Sequence, residues 1–181
     1  MRRITAALAL CVAPFAAQAA SGRDDLCKEA PPPPEPWTSW SQSGNAIAGG
    51  EAAFAPRLIL GKPVVASLRP VSQVQFAAAS AESQPKTHGG LFSLAVKEPA
   101  RVGIALSDPA GVDMVTERSP VPSVGHGHGP ECSGISKIVW FDLRPGVHLV
   151  QIFNASGREI RIMAADAQAN RPAPPLRNQD D

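Results

Sequence analysis

Between residues 57 and 164 apolar side chains recur at alternate positions in short runs broken by Gly and Pro. A period of two places successive side chains on opposite faces of an extended chain, so the pattern predicts strands. They fall over 57–60, 64–68, 74–78, 91–96, 101–106, 112–116, 135–143, 147–153 and 159–164. The last three are the clearest. Val139, Phe141 and Leu143 share one face of their strand while Ile138 and Trp140 share the other, which predicts burial on both sides. Arg144-Pro145-Gly146 then supplies a reversal, Pro pre-setting one φ and Gly accepting a positive one. Ser156-Gly157 repeats the device, and the three strands together read as a β-meander.

No stretch repeats at 3.6 residues with helix caps, and the strands follow one another too closely for helical crossovers. The expected fold is therefore all-β: a single antiparallel β-sandwich, jelly-roll-like, or a partly closed barrel. Residues 77–85 are Ala-rich but bounded by Pro85 and Gly89-Gly90, and read as a loop.

The ends of the chain break the alternation. Arg2 and Arg3, an apolar run over 4–15 and Ala17-Gln18-Ala19 have the charged, apolar and small-x-small regions of a secretory signal peptide, so residues 1–19 are expected to be cut away. A competing reading makes Leu8-Ala9-Leu10-Cys11 a lipid attachment box, with bulky Leu10 where a small residue belongs. Residues 20–50 carry Pro31 to Pro34, then Trp37, Trp40 and a Ser/Gly/Ala-rich stretch ending at Gly49-Gly50. Proline lacks a backbone donor, so this segment reads as an extended arm pinned by its two tryptophans against a domain over 51–168. Residues 169–181, rich in Pro, Asn and Asp, read as a disordered tail.

Export changes the reading of the cysteines. Cleavage after Ala19 removes Cys11 and leaves Cys27 and Cys132 as one pair in an oxidising compartment, where a disulfide is the expected state. The location predicted is periplasmic or secreted. With 17 basic and 16 acidic residues there is no basic block, which argues against nucleic acid or anionic lipid as partner. A small neutral molecule, a glycan or a protein fits better. Beyond the amino-terminal run no apolar stretch reaches the roughly 20 residues of a transmembrane span.

One segment departs from strand-and-turn texture. In Gly125-His126-Gly127-His128-Gly129-Pro130-Glu131-Cys132 two imidazoles, a carboxylate and a thiol are separated by glycines that let backbone bend around a ligand. His126 and His128 would share a side if extended, and His88 or Glu131 would complete a site for Fe, Cu or Zn. The spacing matches neither a helical His-Glu-x-x-His nor a paired Cys-x-x-Cys. The plain alternative is a glycine-rich loop with solvated histidines, pinned at Cys132, which a disulfide would withdraw as a thiolate. His88 reads as a solvated turn residue, and His148, in phase with Val150 and Ile152, as a core histidine with one hydrogen bond. Ser133 reads as a loop residue bonding its own backbone. Asp108 and Asp113 flank a Pro-Ala-Gly turn, as turn formers or as an acid/base pair. There is no Gly-x-Ser-x-Gly elbow and no Gly-rich phosphate loop. With no Tyr and three Trp, little aromatic platform for stacking is expected.

The run 138–152, with its x-Pro-Gly turn and Leu149-Val150-Gln151-Ile152, resembles the ending of bacterial pre-peptidase C-terminal-like sandwiches, although His148 stands where those domains carry an aromatic. Residues 101–106 and 112–115 are similar to an inner strand pair of that fold. More closely, Gly129-Pro130-Glu131-Cys132-Ser133-Gly134-Ile135 with the following turn resembles a group of small exported bacterial proteins often labelled homogentisate 1,2-dioxygenase. The label implies an iron-dependent dioxygenase, but the two-His, one-Glu iron motif of the large enzymes of that name has no counterpart here. Two functions therefore stand side by side: a non-enzymatic exported β-sandwich acting as a binding or accessory module, and a metal-binding protein or oxygenase built on His126 and His128. A third is a protein-interaction module using a sheet edge or the proline-rich arm.

Overall fold

The computed structural model describes residues 27–28, 30–42, 44–78 and 84–168. The expected signal peptide, its alternative lipid attachment at Cys11 and the carboxy-terminal tail lie outside them. The chain divides into two compact units, Met1–Ala30 and Pro31–Asp181. In the first, the Ala30 amide donates to the Cys27 carbonyl at 3.3 Å.

The second unit is a β-sandwich of two packed sheets with no closed barrel, which settles the two architectures in favour of the open one. Its strands are β1 (Asn45–Ile47), β2 (Arg57–Leu58), β3 (Val64–Ser67), β4 (Arg69–Pro70), β5 (His88–Val96), β6 (Ala100–Leu106), β7 (Gly111–Thr116), β8 (Ser119–Val121), β9 (Gly125–Gly127), β10 (Lys137–Leu143), β11 (Gly146–Ala155) and β12 (Glu159–Asp166). One sheet runs β1-β3-β12-β6-β10-β9 and the other β2-β5-β11-β7-β8, with β4 also on β5. Pairing is antiparallel except for β1 on β3 and β2 on β5, which are parallel.

Alternation sets the core. Val102, Ile104 and Leu106 of β6, Val139, Phe141 and Leu143 of β10 and Ile160 and Ile162 of β12 point inward from the first sheet. They meet Phe92 and Leu94 of β5, Met114 of β7 and Val150 and Ile152 of β11. Burying each such side chain contributes about 1.5–3 kcal/mol.

The meander expected of β10, β11 and β12 does not form. β10 pairs with β6 and β9, whereas β11 pairs with β5 and β7 in the opposite sheet, and β12 returns to the first. The Pro-Gly turn is thus an arch over the edge of the sandwich. A turn sequence specifies that the chain reverses, not which strand takes its hydrogen bonds. A tight hairpin that does join neighbours links β7 to β8 through Glu117 and Arg118, both at positive φ (49° and 67°). Paired left-handed residues give the twist a two-residue hairpin needs.

Residues 74–78 are not the predicted strand. A short 3-10 turn, Val71–Gln73, precedes them, and the Gln151 Oε1 accepts from the amides of Ala77 (2.6 Å) and Ala78 (3.2 Å). A side chain thus takes the bonds a ladder would have used, and Phe76 meets Phe153 edge-to-face at 6.4 Å. Gln151 is fully buried. We expect Gln151→Ala to destabilise by about 1–3 kcal/mol, since it removes a fully buried side chain and strips the acceptor from two half-buried amides. Hydrogen exchange should accelerate at the Ala77 and Ala78 amides; unchanged protection there would show that the clamp carries no weight.

The proline-rich arm is part of the packing. Trp37 and Trp40, each 4 % exposed, cover the outer face of the first sheet with Ala105, Ile135, Ile138, Met163 and Ala165. This bears out burial of β10 on both sides. The backbone turns on itself there, the Trp37 amide donating to Pro34 and the Trp40 amide to Trp37, each at 2.9 Å. Arg161 of β12 stacks over the Trp40 ring at 5.9 Å and donates to the carbonyls of Trp40 and Gln42. Further along, residues 45–47 of the expected arm form β1 on the sheet itself.

Candidate functional site

The histidines singled out by sequence are distributed over both sheets. His126 is exposed on β9, in register with Val139 of the first sheet. His128 is exposed just beyond it, with Nδ1 2.9 Å from the Ser136 carbonyl oxygen. Since that oxygen only accepts, Nδ1 carries the proton. His88 opens β5 in the second sheet, in register with Pro70 and Ala155. It is a strand residue rather than the solvated turn residue expected, and its buried Nδ1 has no hydrogen-bond partner among the described residues.

Glu131 is exposed in a tight turn whose contacts are its own: Ser133 Oγ donates to the Pro130 carbonyl at 2.6 Å and accepts from the Ile135 amide at 3.1 Å. This is the local role read for Ser133. Cys132 and Gly134 adopt positive φ, 59° and 72°, which lets the turn close. Cys27 and Cys132 form the expected disulfide, so the sulfur of Cys132 is not a free thiolate. Among the described residues no three His, Cys, Asp or Glu side chains converge to hold a metal ion.

His148 is buried as expected, at 3 % exposure, but makes two hydrogen bonds rather than one. Its Nε2 lies 2.9 Å from the Arg144 carbonyl oxygen and its Nδ1 2.6 Å from Thr116 Oγ1. The carbonyl can only accept, so Nε2 carries a proton, and Nδ1 shares a hydrogen bond with the Thr116 hydroxyl. The ring ties the arch to β7 and is a structural group. Asp108 accepts from Ser107 Oγ at 2.8 Å within its turn, whereas Asp113 lies on β7 in register with Gln151.

A different place gathers binding chemistry. On the outer face of the first sheet, Trp140 of β10 stands opposite Gly103 of β6, and Asp142 opposite Arg101. A Cβ on Gly103 would lie 2.8–3.0 Å from Cζ3, Cε3 and Cη2 of Trp140, so the six-membered ring rests on bare backbone. Trp37 braces it at 5.7 Å between centroids and a 57° tilt. Beside the ring Arg101 donates through Nε (2.7 Å) and Nη2 (2.9 Å) to the two oxygens of Asp142, a fork-to-fork pair with each side chain 53 % exposed. Arg101, Val124, Gly125, Trp140 and Ala167 line a cavity of about 220 Å3. A second, of about 510 Å3, is lined by the exposed Ser67, Gly157, Arg158 and Glu159, with no aromatic floor.

The hydrogen bonds from Arg101 hold the Asp142 carboxyl below its ordinary pKa, and the same bonds raise the guanidinium. A carboxylate depressed by folding contributes stability that is present above the unfolded pKa and lost as pH falls through the lowered value. The pair should therefore stay intact from neutral to mildly acidic pH and open only in strong acid. An NMR titration of the Asp142 carboxyl carbon checks this: a midpoint at or above that of an ordinary aspartate would contradict the pairing.

Sequence reasoning named Trp140 as a two-sided core residue and passed over Arg101, Asp142 and Gly103. Their chemistry depends on a strand register that pairs Arg101 with Asp142 and Gly103 with Trp140 across the intervening chain. The legible signal is a glycine set between apolar Val102 and Ile104 inside a strand, which marks a close approach. Compared with known proteins, the chain matches no protein-family profile and no curated protein.

Proposed function

We propose that this protein is a non-enzymatic, exported β-sandwich that acts in the periplasm or outside the cell as a binding or accessory module, with the Trp140–Arg101 groove as its ligand surface. The observation that carries the reading is the ring of Trp140 laid on Gly103, beside a bidentate ion pair and a cavity. Binding surfaces combine an apolar wall with a few fixed polar groups, and this groove has both. Export is supported by the signal-like amino terminus and the Cys27–Cys132 disulfide. No described helix is long and apolar enough to cross a membrane.

The test is a screen of neutral fragments against the 15N-labelled, disulfide-bonded protein. Fragment binding should move the Gly103 and Gly125 amides and the Trp140 indole N–H together. Shifts confined to other surfaces, or unchanged shifts of the Gly103 and Gly125 amides in Trp140→Ala, would refute the assignment.

A further inference from the structure

We infer that the groove binds carbohydrate: one pyranose ring of a neutral glycan stacks on Trp140 while adjacent hydroxyls bridge Arg101 and Asp142. The inference rests on the groove being the ligand surface and adds the chemical class of what it takes.

The four side-chain positions form a two-by-two array. Trp140 and Gly103 make one row, Asp142 and Arg101 the next. Rows two residues apart on a strand are separated by roughly 7 Å, about the span of a pyranose with its equatorial hydroxyls. The array thus offers an apolar plane at one end and fixed polar groups at the other. A sugar ring has the matching asymmetry, with C–H groups on its faces and hydroxyls around its rim.

The polar row suits a diol. Arg101 uses Nε–H and one Nη2–H on Asp142, leaving N–H donors of the guanidinium unspent, and each Asp142 oxygen keeps a lone pair. A hydroxyl both donates and accepts, so two neighbouring hydroxyls can take a bond from Arg101 and give one to Asp142 without separating the ions. An anionic ligand would meet the Asp142 carboxylate, and a cationic one the Arg101 guanidinium. A wholly apolar ligand would desolvate both charges and repay neither. The pair carries no net charge, which favours a neutral polyol.

Shape agrees. At about 220 Å3 the cavity lies below the roughly 300–1,000 Å3 of clefts that enclose drug-sized molecules, and fits a single ring lying on a surface. Val124, 49 % exposed, gives it an apolar wall. Gly125 lies beside the pyrrole edge of the indole, where a Cβ would stand in van der Waals contact, 3.8 Å from Cδ1. The backbone of this wall is fixed by the Val124 amide, which donates to the Trp140 carbonyl at 2.8 Å. Proline-rich peptides also dock on aromatic rings, but they need a groove several rings long.

The experiment is calorimetric titration with glucose, galactose and N-acetylglucosamine hexasaccharides, a polygalacturonate hexamer and a proline-rich decapeptide, with NMR mapping of each. At least one neutral hexasaccharide should bind and move the Gly103, Gly125 and Trp140 indole signals. Arg101→Gln and Asp142→Asn, exposed positions that leave the fold intact, should each weaken it about tenfold or more, and Trp140→Ala beyond that. Gly103→Ala should weaken it too, by lifting the ring. Absence of binding by every neutral hexasaccharide up to about 10 mM, or affinity unchanged in Arg101→Gln and Asp142→Asn, overturns the carbohydrate assignment. If the decapeptide or the polygalacturonate alone shifts the groove signals, the class is wrong and the groove stands. If no probe or fragment reaches those signals, both fall.

Discussion

Replacing Cys27 and Cys132 together by serine should lower the free energy of unfolding by about 4–5 kcal/mol. The disulfide closes a loop of about 105 residues, and cross-linking so long a loop removes much of the conformational freedom of the unfolded chain. Against the 5–15 kcal/mol typical of a domain this is a large share. For a chain of this size the midpoint of thermal unfolding should fall by roughly 8–20 °C. Guanidinium unfolding of the oxidised protein, the reduced protein and the double serine variant measures it. The last two should coincide, both well below the first. A difference under about 1 kcal/mol would show that the bond leaves the unfolded chain as free as before.

Trp40→Ala should cost about 3–5 kcal/mol, the range for truncating a buried aromatic where neighbours cannot close the gap. Collapse is hindered on both sides. Beneath the ring lie side chains of a hydrogen-bonded sheet, Ile138 and Met163 among them, and above it the Arg161 guanidinium. The variant also unseats the turn whose carbonyls Arg161 holds. Equilibrium denaturation should show a lower midpoint with an unaltered slope, because the surface exposed on unfolding hardly changes. A loss under about 1 kcal/mol would mean that the arm is laid loosely over the sheet.

Those two effects mark where the sequence spoke plainly and where it did not. Alternation located β5, β6, β7, β10, β11 and β12 because each buries at least one apolar face, and period two is what burial of a strand face demands. It overreached at 74–78, where Phe76 and its neighbours satisfy the pattern but a buried Gln151 supplies the hydrogen bonds. It missed β1, β4, β8 and β9, of two or three residues each, which are too short to show a period. Arg144-Pro145-Gly146 announced a reversal correctly, yet only long-range pairing decides that β10 and β11 sit in different sheets.

The candidate site was less legible for a related reason. The eye-catching loop, with His126 and His128, leaves both imidazoles exposed on one sheet edge while His88 opens a strand of the other. Proximity in sequence was no guide to convergence in space. Arg101, Gly103, Trp140 and Asp142 are unremarkable where they stand in the chain, and acquire a joint role only when β6 and β10 pair in the observed register. A slip of one residue would turn Trp140 toward the core and dissolve the array.

The proposal that this is an exported, sulfur-clamped sandwich has one direct test: intact mass spectrometry of the protein expressed with its own amino terminus and recovered from the periplasm of a Gram-negative host, with and without reductant. The account predicts a chain beginning at Ala20, resistant to alkylation until reduced and then taking up two labels. Recovery of the full-length polypeptide from the cytoplasm, with its cysteines labelled without reduction, would contradict it.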